Sequence, residues 1–525
     1  MSLYKNTALA LLFILLAAVR LAHITADPPT SLHWGRGAFT DEAFYSHNAR
    51  SQVLFNDWSG DEFKYYYISP IMSAIDFTAF KLGGVNYRSL RLAGIGFGLL
   101  TLWIFYLWSK QWYSGTISLL GTALLGFNYF YLQHSRLAFS EIPMLAFLLA
   151  SLYSLDRAKA SGTIWAGIFF GLAVLSKTLA LIFGPVVLVW IYLEQKNRFW
   201  EQTGRFVGGV ALVTAGLWLV LVRLDPVDYF NTFHIFVGQR GPHSLTQIFK
   251  VFHTEYFAQL PVITLLVFSS LVFYKGFSTG EKRAALWLLI GLGYLAFWSY
   301  TTPAYFLILL IPMIILATGF LSKITAKELV AAKLPAGLMV LWLAGGYFLV
   351  RYIFLFYGRD LFFANLAGKI SLEALTLVSL MLVYLFTRKV PGYSPRVTIK
   401  VLFTLFIIFD FSPYLSWLAR PAYTVEAAAR DIQRTVGQGT VAGSWAPALC
   451  LETGMKEFPF WENIVNDRDL TKAIPVTHLL LERNYFDLDY VRRAYPEILA
   501  RASVERTYNI DNKFIDLWKL NNDKK

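Results

Sequence analysis

Long apolar runs, joined by short connections that carry much of the charge, constrain this chain more than any other feature. A helix needs about 20 mostly apolar residues to cross a bilayer, and this criterion predicts about thirteen spans. The chain is therefore predicted to be an all-α polytopic membrane protein. The predicted spans lie at residues 6–25, 90–108, 116–133, 140–155, 162–176, 178–193, 204–222, 261–275, 284–300, 303–321, 334–355, 371–387 and 399–418.

The charged residues indicate orientation. Only 15% of the chain is charged, against about 25% in soluble domains. The net charge of +13 comes mainly from Lys and Arg in short connections between spans, a pattern typical of membrane topology and not of nucleic-acid binding. The bias predicts a multi-pass protein of the cytoplasmic (inner) membrane, with the N-terminus inside and the C-terminus outside.

Two places leave the topology open. The runs that flank Ser176 and Lys177 are short, so they form either two half-length helices or one long kinked helix. The N-terminal run resembles a cleaved signal peptide, but Arg20 interrupts it and favours a retained anchor. The single cysteine, Cys450, excludes an intramolecular disulfide framework.

Two connections are too long to be turns. The first, residues 27–87, contains amphipathic stretches at 43–55 and 68–80, which are predicted to lie along the membrane surface. The second, residues 223–260, carries Arg240, and a Gly-Pro interruption argues against one continuous helix. We expect it to be a mobile flap.

After about residue 420 the composition becomes that of a soluble protein, so residues 421–525 are predicted to form a small extracytoplasmic α/β domain. Its predicted helices are 425–436, 446–452 and 490–502, and its predicted strands are 440–443, 477–481, 504–510 and 514–518.

An acidic pair, Asp41 and Glu42, follows the first span and precedes an amphipathic stretch. Carboxylates at a membrane surface can serve as a general base or as metal ligands. Alternatively, one of them caps the next helix, because an acidic side chain satisfies free backbone N–H groups there.

A second acidic site contains Arg136 and Glu141, which bracket a short apolar stretch at the start of the fourth span. An ionisable residue so close to a span is a functional candidate, and the alternative is a local ion pair that anchors the helix end.

Several cations lie near the predicted membrane interface: Lys64 before a surface helix, and Arg88 and Arg91 at the entrance to the second span. They can hold a lipid phosphate through charge-assisted hydrogen bonds, or they can anchor the chain at the headgroups. Lys177 lies inside an apolar stretch, where an unpaired ammonium costs several kcal/mol, so it is expected to have a partner.

Cofactor signals are weak. The eight histidines form no His-x-x-x-His or Glu-x-x-His cluster, although a divalent metal at Asp41 and Glu141 stays possible. The absence of a Gly-rich phosphate loop argues against a nucleotide donor.

Taken in order along the chain, these motifs resemble the GT-C superfamily of lipid-dependent glycosyltransferases, in particular bacterial relatives of protein mannosyltransferases and of the aminoarabinose transferase. The motifs are Asp41-Glu42, Lys64 with the tyrosines after it, Ser135-Arg136 with Glu141-Ile142-Pro143, and Ser176-Lys177. The resemblance implies a GT-C catalytic domain over residues 1–420. It also implies inverting transfer of a sugar from a polyprenyl-phosphate donor to an unknown acceptor. The expected partners are this donor, the acceptor and membrane lipids, and nucleic acid is not expected among them.

The resemblance also implies residue roles. Asp41 would be the general base or a carboxylate that orients the acceptor, with Glu42 beside it, and Glu141 would occupy the second acidic position. The donor phosphate would be bound by Lys64, Arg136, Arg91 and Arg240. The chain departs from the family where Glu141 replaces the usual Asp, where no Pro follows Lys64, and where Ala304-Tyr305 replaces an Arg.

Two other functions stay open at this point. Many spans with intramembrane charges also suit a transporter or flippase, although no internal repeat relates the two halves of the sequence. The third alternative is an envelope scaffold whose soluble domain binds a partner.

Overall fold

The computed structural model of the chain describes residues 2–29, 32, 35–58, 60–157, 160–234, 260–297, 302–326, 395–462, 465–466, 475–483 and 486–521. Most of these residues are helical. In chain order, the helices up to the fourth predicted span are α1 (Ser2–Leu21), α2 (Gly37–Phe55), α3 (Tyr65–Ile68), α4 (Pro70–Gly83), α5 (Tyr87–Ser109), α6 (Gly115–Phe127), α7 (Tyr129–His134) and α8 (Glu141–Asp156).

The next helices are α9 (Ala160–Ser176), α10 (Gly184–Glu194), α11 (Phe199–Leu224), α12 (Pro226–Phe233), α13 (Pro261–Val272), α14 (Thr279–Phe297), α15 (Leu307–Thr325), α16 (Pro395–Phe406) and α17 (Ser412–Ala419). A π-helical turn, Ile407–Phe411, joins the last two. Short 3-10 turns are Thr178–Phe183, Lys196–Arg198, Tyr274–Gly276 and Pro303–Phe306.

Four helical stretches of the described residues are long and apolar enough to cross a membrane: Tyr87–Ser109, Lys196–Leu221, Pro303–Thr325 and Ile399–Val436. Shorter apolar helices accompany them. The chain is therefore a multi-pass membrane protein. The number thirteen stays a prediction, and the predicted spans at 334–355 and 371–387 lie outside the described residues.

The chain reverses direction at Lys177. Arg283 binds both Asp156, at the end of α8, and Glu194, at the end of α10, so these two ends lie on the same side of the bundle. Lys177 instead contacts Glu141, at the start of α8. The short runs on either side of Lys177 are therefore two separate helical segments and not one long kinked helix.

The first long connection contains α2, α3 and α4. The helix predicted at 43–55 begins earlier, at Gly37, and is mostly buried up to Arg50. It packs between α4 on one side and the C-terminal part of the chain on the other. The stretch was expected to lie along the membrane surface, but several of its polar residues are buried within the protein.

The C-terminal unit, defined as the described residues from Thr424 to Leu520, contains a five-stranded sheet in the order β2-β1-β3-β5-β4. The first three are parallel, and β5 is antiparallel to β3 and β4. The strands are β1 (Val441–Ala442), β2 (Glu457–Phe458), β3 (His478–Glu482), β4 (Ala502–Ile510) and β5 (Lys513–Leu520), and the helices are α18 (Thr424–Val436), α19 (Ala446–Cys450), α20 (Phe486–Ala494) and α21 (Pro496–Ala500).

The α/β architecture predicted for this unit is confirmed. The helix predicted at 490–502 is instead two helices, α20 and α21, which are separated at Tyr495 before Pro496. Proline disfavours the helical conformation of the residue before it, which explains the break. β2 was not predicted from the sequence, because it is a strand of only two residues.

Candidate active site

The acidic pair lies inside α2 and not at its end. The helix begins at Gly37 with Arg36 at the N-cap position, so Asp41 and Glu42 are in its second turn. The alternative that one of them caps the helix is therefore wrong. Because successive helical residues point in different directions, the two carboxylates have different surroundings.

Glu42 is fully buried and forms an ion pair with Arg91 of α5, with the closest N–O distance at 2.6 Å. Glu42 also accepts a hydrogen bond from the backbone N–H of Ala138 at 2.9 Å. Arg91 donates two further hydrogen bonds to the carbonyls of Ile24 and Ala26. This pair therefore joins α2, α5 and the segment before α8, and both of its members have buried partners.

Asp41 is half-buried and accepts a hydrogen bond from the Tyr45 hydroxyl at 3.3 Å. The Tyr45 ring stacks on Tyr65, with 4.7 Å between centroids and 13° between planes. Burial and then the neighbouring carboxylate of Asp41 raise the pKa of Tyr45 well above its ordinary value, and Glu141 contributes in the same direction. Tyr45 is thus close to both predicted acidic positions.

Glu141 forms a buried ion pair with Lys177, which lies at the turn after α9. The Lys177 ammonium is also 4.9 Å from the ring centroid of Tyr305 and 5.6 Å from that of Tyr45. Lys177 therefore has the partner that its position in an apolar stretch required. The predicted alternative, a local ion pair between Glu141 and Arg136, is not what the structure shows.

The structure brings Asp41 and Glu141 to one cluster, although they come from different predicted loops. The aromatic residues Tyr45 and Tyr65 connect them. Burial raises the pKa of Tyr65 to about 12, against the opposing effect of Lys177. We define the site cluster as Asp41, Tyr45, Tyr65, Glu141, Lys177 and Tyr305.

Lys64 lies just before α3 and forms an ion pair with Asp228 of α12. A second contact joins α3 and α12 beside this ion pair. The rings of Tyr67 and Tyr229 pack edge to face, with 5.4 Å between their centroids. Lys64 is 15% exposed and Asp228 is 36% exposed, so this pair is accessible to a ligand, unlike the pair formed by Glu42.

Arg136 is buried and donates to three backbone carbonyls at the C-terminal end of α1 and just after it, those of Arg20, Ala22 and His23, at 2.6–3.0 Å. Its guanidinium lies 4.0 Å from the centroid of a Trp417 ring. Arg136 therefore fastens the end of the first span to the rest of the bundle.

Arg240 lies outside the described residues. Among the residues that the structure describes, no group of three or more His, Cys, Asp or Glu side chains could hold a metal ion.

Sequence reasoning did not assign site roles to Tyr45, Tyr65, Tyr305 or Asp228. Two of them left a signal. Tyr45 is four residues after Asp41, and side chains at that spacing meet on one face of a helix. Tyr65 belongs to a run of three tyrosines, and the sequence alone does not show which of the three rings faces the site.

Solved structures show what this architecture is similar to. ArnT from Cupriavidus metallidurans in the apo state aligns over 98% of both chains with a TM-score of 0.61 at 14% identity. The same protein bound to undecaprenyl phosphate aligns over 98% of both chains with a TM-score of 0.62 at 12% identity. The chain has a GT-C fold. The resemblance drawn from the sequence motifs is confirmed at the level of the fold.

Sequence comparison adds a local match. Residues 69–222 match the family described as dolichyl-phosphate-mannose-protein mannosyltransferase. This part of the GT-C chain includes Glu141 and Lys177 and excludes Asp41 and Lys64. No curated protein matches the chain in sequence. An oligosaccharyltransferase from Archaeoglobus fulgidus aligns over 86% of this chain and 64% of its own at 13% identity, with a TM-score of 0.45.

Proposed function

We propose that the protein is an inverting glycosyltransferase that moves a sugar from a polyprenyl-phosphate donor to an acceptor on the outer face of the cytoplasmic membrane. The observation that carries the proposal is the convergence of Asp41 and Glu141 on Tyr45 within a GT-C fold. The donor class is taken from ArnT, which was solved with undecaprenyl phosphate. We further propose that residues 1–420 form the catalytic membrane domain and residues 421–525 an extracytoplasmic domain.

Asp41 is the general base of the proposed reaction. It accepts the proton of the acceptor hydroxyl while the hydroxyl oxygen forms a bond to the anomeric carbon of the sugar. The bond between that carbon and the phosphate oxygen breaks, and its electron pair stays on the phosphate. Positioned proton transfer of this kind is worth about 10²–10⁴ in rate. The half-buried environment of Asp41, with Tyr45 as a donor, suits a carboxylate that must stay accessible.

Glu141 provides the second negative charge of the site. Its ion pair with Lys177 fixes the direction of the carboxylate. We propose that it orients the acceptor or the sugar beside Asp41. Asp41 and Glu141 are thus two carboxylates near the single ammonium of Lys177, and a carboxylate can take the proton that the acceptor hydroxyl loses.

Lys64 binds the donor phosphate in this proposal. The donor is a phosphodiester with one negative charge, and the leaving polyprenyl phosphate carries a second, so a nearby cation stabilises the charge that develops. Lys64 is paired with the accessible Asp228 in the structure, and the phosphate would displace that carboxylate. We propose that Arg240, which belongs to the same long connection as Asp228, adds a second cation for the phosphate.

The other residues of the predicted set have contacts that favour positioning roles. Arg91 would have to leave Glu42 and two backbone carbonyls before it could bind phosphate, and Arg136 would have to leave three. We propose that Glu42, Arg91 and Arg136 hold the site cluster in place and that Asp41 and Lys64 act on the reactants.

The test is a transfer assay with purified protein in lipid vesicles. A panel of polyprenyl-phosphate sugars is incubated with membrane extract as the acceptor source, and loss of each donor is followed by mass spectrometry. Asp41→Asn should abolish the loss while the protein stays folded. The matched control is Asp489→Asn, because Asp489 is an exposed carboxylate in α20.

Full activity of Asp41→Asn would refute the assignment of the base. Movement of an intact donor across the vesicle membrane, without transfer of its sugar, would support the transporter or flippase alternative instead.

A further inference from the structure

The helix that carries Asp41 has two opposite faces with different partners. Taking about 100° per residue, Arg36, His47 and Arg50 lie within a sector of about 60°, and Asp41 lies about 150° from the middle of that sector. Asp41 faces the site cluster, whereas the three cations enter the C-terminal unit. The two faces are connected by one rigid helix, α2.

His47 lies between two carboxylates. Its ring nitrogens are 3.1 Å from Asp61 and 2.6 Å from Glu457 of β2, and all three side chains are buried. Burial alone would lower the pKa of His47, but Glu457 and Asp61 outweigh it and raise the pKa to about 10. With Arg50 3.7 Å from Glu457, two cations face two carboxylates, and the buried cluster is balanced in charge.

Arg50 binds backbone carbonyls of the C-terminal unit. Its guanidinium donates to the carbonyls at the end of α19 and in the loop before β2, at distances of 2.8–3.0 Å, and the side chain is fully buried. The four acceptors are Cys450, Leu451, Thr453 and Met455. Only a planar, multiply donating group can satisfy such an arrangement, so this contact fixes both position and angle of α2.

Arg36 occupies the crevice at the carboxyl ends of the parallel strands β1 and β3. It donates to Ser444 and Asp487, both at 2.6 Å, and its guanidinium lies 5.3 Å from the ring centroid of Trp461. In open α/β sheets this crevice is where ligands bind. Here a side chain of the same polypeptide, at the N-cap of α2, fills the place of a ligand.

We propose that the C-terminal unit positions Asp41 for the reaction by holding the opposite face of α2 through Arg36, His47 and Arg50. This inference rests on the proposed function, because it concerns the place of the base. It assigns to the C-terminal unit a role that is mechanical and not one of substrate binding. The geometry of catalytic groups matters at this scale, since a displacement of about 1 Å can cost on the order of 10²-fold in rate.

The charge balance of the His47 cluster gives a sharp test. Glu457→Gln leaves an excess of positive charge and His47→Gln an excess of negative charge, whereas the double variant restores the balance between Arg50 and Asp61. Neither position is in the site cluster. The matched control is Arg483→Gln, which breaks an ion pair with Asp516 elsewhere on the same sheet.

Two measurements are made on these variants in vesicles. The first is kcat and KM with the donor that the wild-type protein uses. Each single variant should lower kcat about 10- to 100-fold with donor KM unchanged, and the double variant should recover most of the loss. The second is hydrogen–deuterium exchange, in which peptides covering α2 should exchange faster in the single variants while peptides covering α8 do not change.

A kcat within twofold of wild type in both single variants would overturn the positioning role, and so would unchanged exchange in α2. A fall in donor affinity with unchanged kcat would overturn it as well, because the C-terminal unit would then act on binding. Hydrogen–deuterium exchange can be measured whether or not the protein turns over a substrate. Wild-type protein without transferase activity would therefore refute the proposed function, and the exchange of α2 would still decide whether the C-terminal unit holds it.

Discussion

Lys177 forms a buried ion pair with Glu141 and so connects the turn after α9 to the first residue of α8. This contact lies at the end of the bundle that also carries Asp41. At the other end, about 24 Å away along the 16 residues of α8, Asp156 binds Arg283. The two ends are thus fixed by separate ion pairs, and the site cluster belongs to only one of them.

Removal of one member of the Lys177 pair should be costly. Lys177→Met leaves the buried Glu141 carboxylate without its cation, and such a change typically destabilises a protein by about 3–5 kcal/mol. We expect a large fall in the unfolding midpoint in detergent, and a smaller fall for the double variant Glu141→Gln/Lys177→Met. Glu201→Gln, which breaks an exposed pair with Arg205, should change stability by less than about 1 kcal/mol. Equal effects of all three changes would contradict this prediction.

The Lys64 pair predicts opposite effects on donor affinity. Lys64→Gln should raise donor KM at least tenfold, because the phosphate loses its cation. Asp228→Asn should lower donor KM severalfold, because the accessible carboxylate no longer competes for Lys64. The donor KM of each variant is measured by titrating the donor in the transfer assay. A rise in donor KM for Asp228→Asn would contradict the prediction.

His47 predicts a pH dependence of stability. Its pKa is about 10 in the folded protein and about 6.5 when unfolded, so its contribution is complete below pH 6.5 and is lost as the pH rises toward 10. The full contribution is on the order of 4 kcal/mol. The unfolding midpoint should fall between pH 6.5 and 10 in the wild type and much less in His47→Gln. His234 is exposed, so the control variant His234→Gln should lose stability over the same pH range as the wild type. Parallel curves for all three proteins would exclude this role.

A glycine on α5 sets how closely the segment before α8 approaches. A Cβ atom at Gly94 would lie 2.4 Å from the carbonyl oxygen of Leu137, next to the Ala138 N–H that binds Glu42. Gly94→Ala should destabilise the protein by about 1–3 kcal/mol. The control lies on the same helix: at Gly96 a Cβ would meet nothing within 4 Å, so Gly96→Ala should be neutral or stabilise by up to about 1 kcal/mol. Calorimetry on both variants measures the difference.

Local patterns in the sequence were sufficient for much of the fold. Apolar runs identified the four helical stretches of the described residues that are long enough to cross a membrane, and alternation with turn signals identified four of the five strands of the C-terminal unit. The position of Asp41 near the first span and of Glu141 at the head of α8 also followed from the sequence. These features depend on neighbours along the chain, because helix and strand periodicity is a local property.

Only the tertiary structure decided which charged groups meet. Glu141 and Lys177 are 36 positions apart, and His47 and Glu457 are 410 apart. The stretch that forms α2 was expected to lie along the membrane surface, since a sequence shows that a face is polar and not which part of the protein covers it. Partners over such distances depend on which helix faces the bundle brings together, and burial then selects the pairs, because an uncompensated charge inside protein or lipid is too costly to keep.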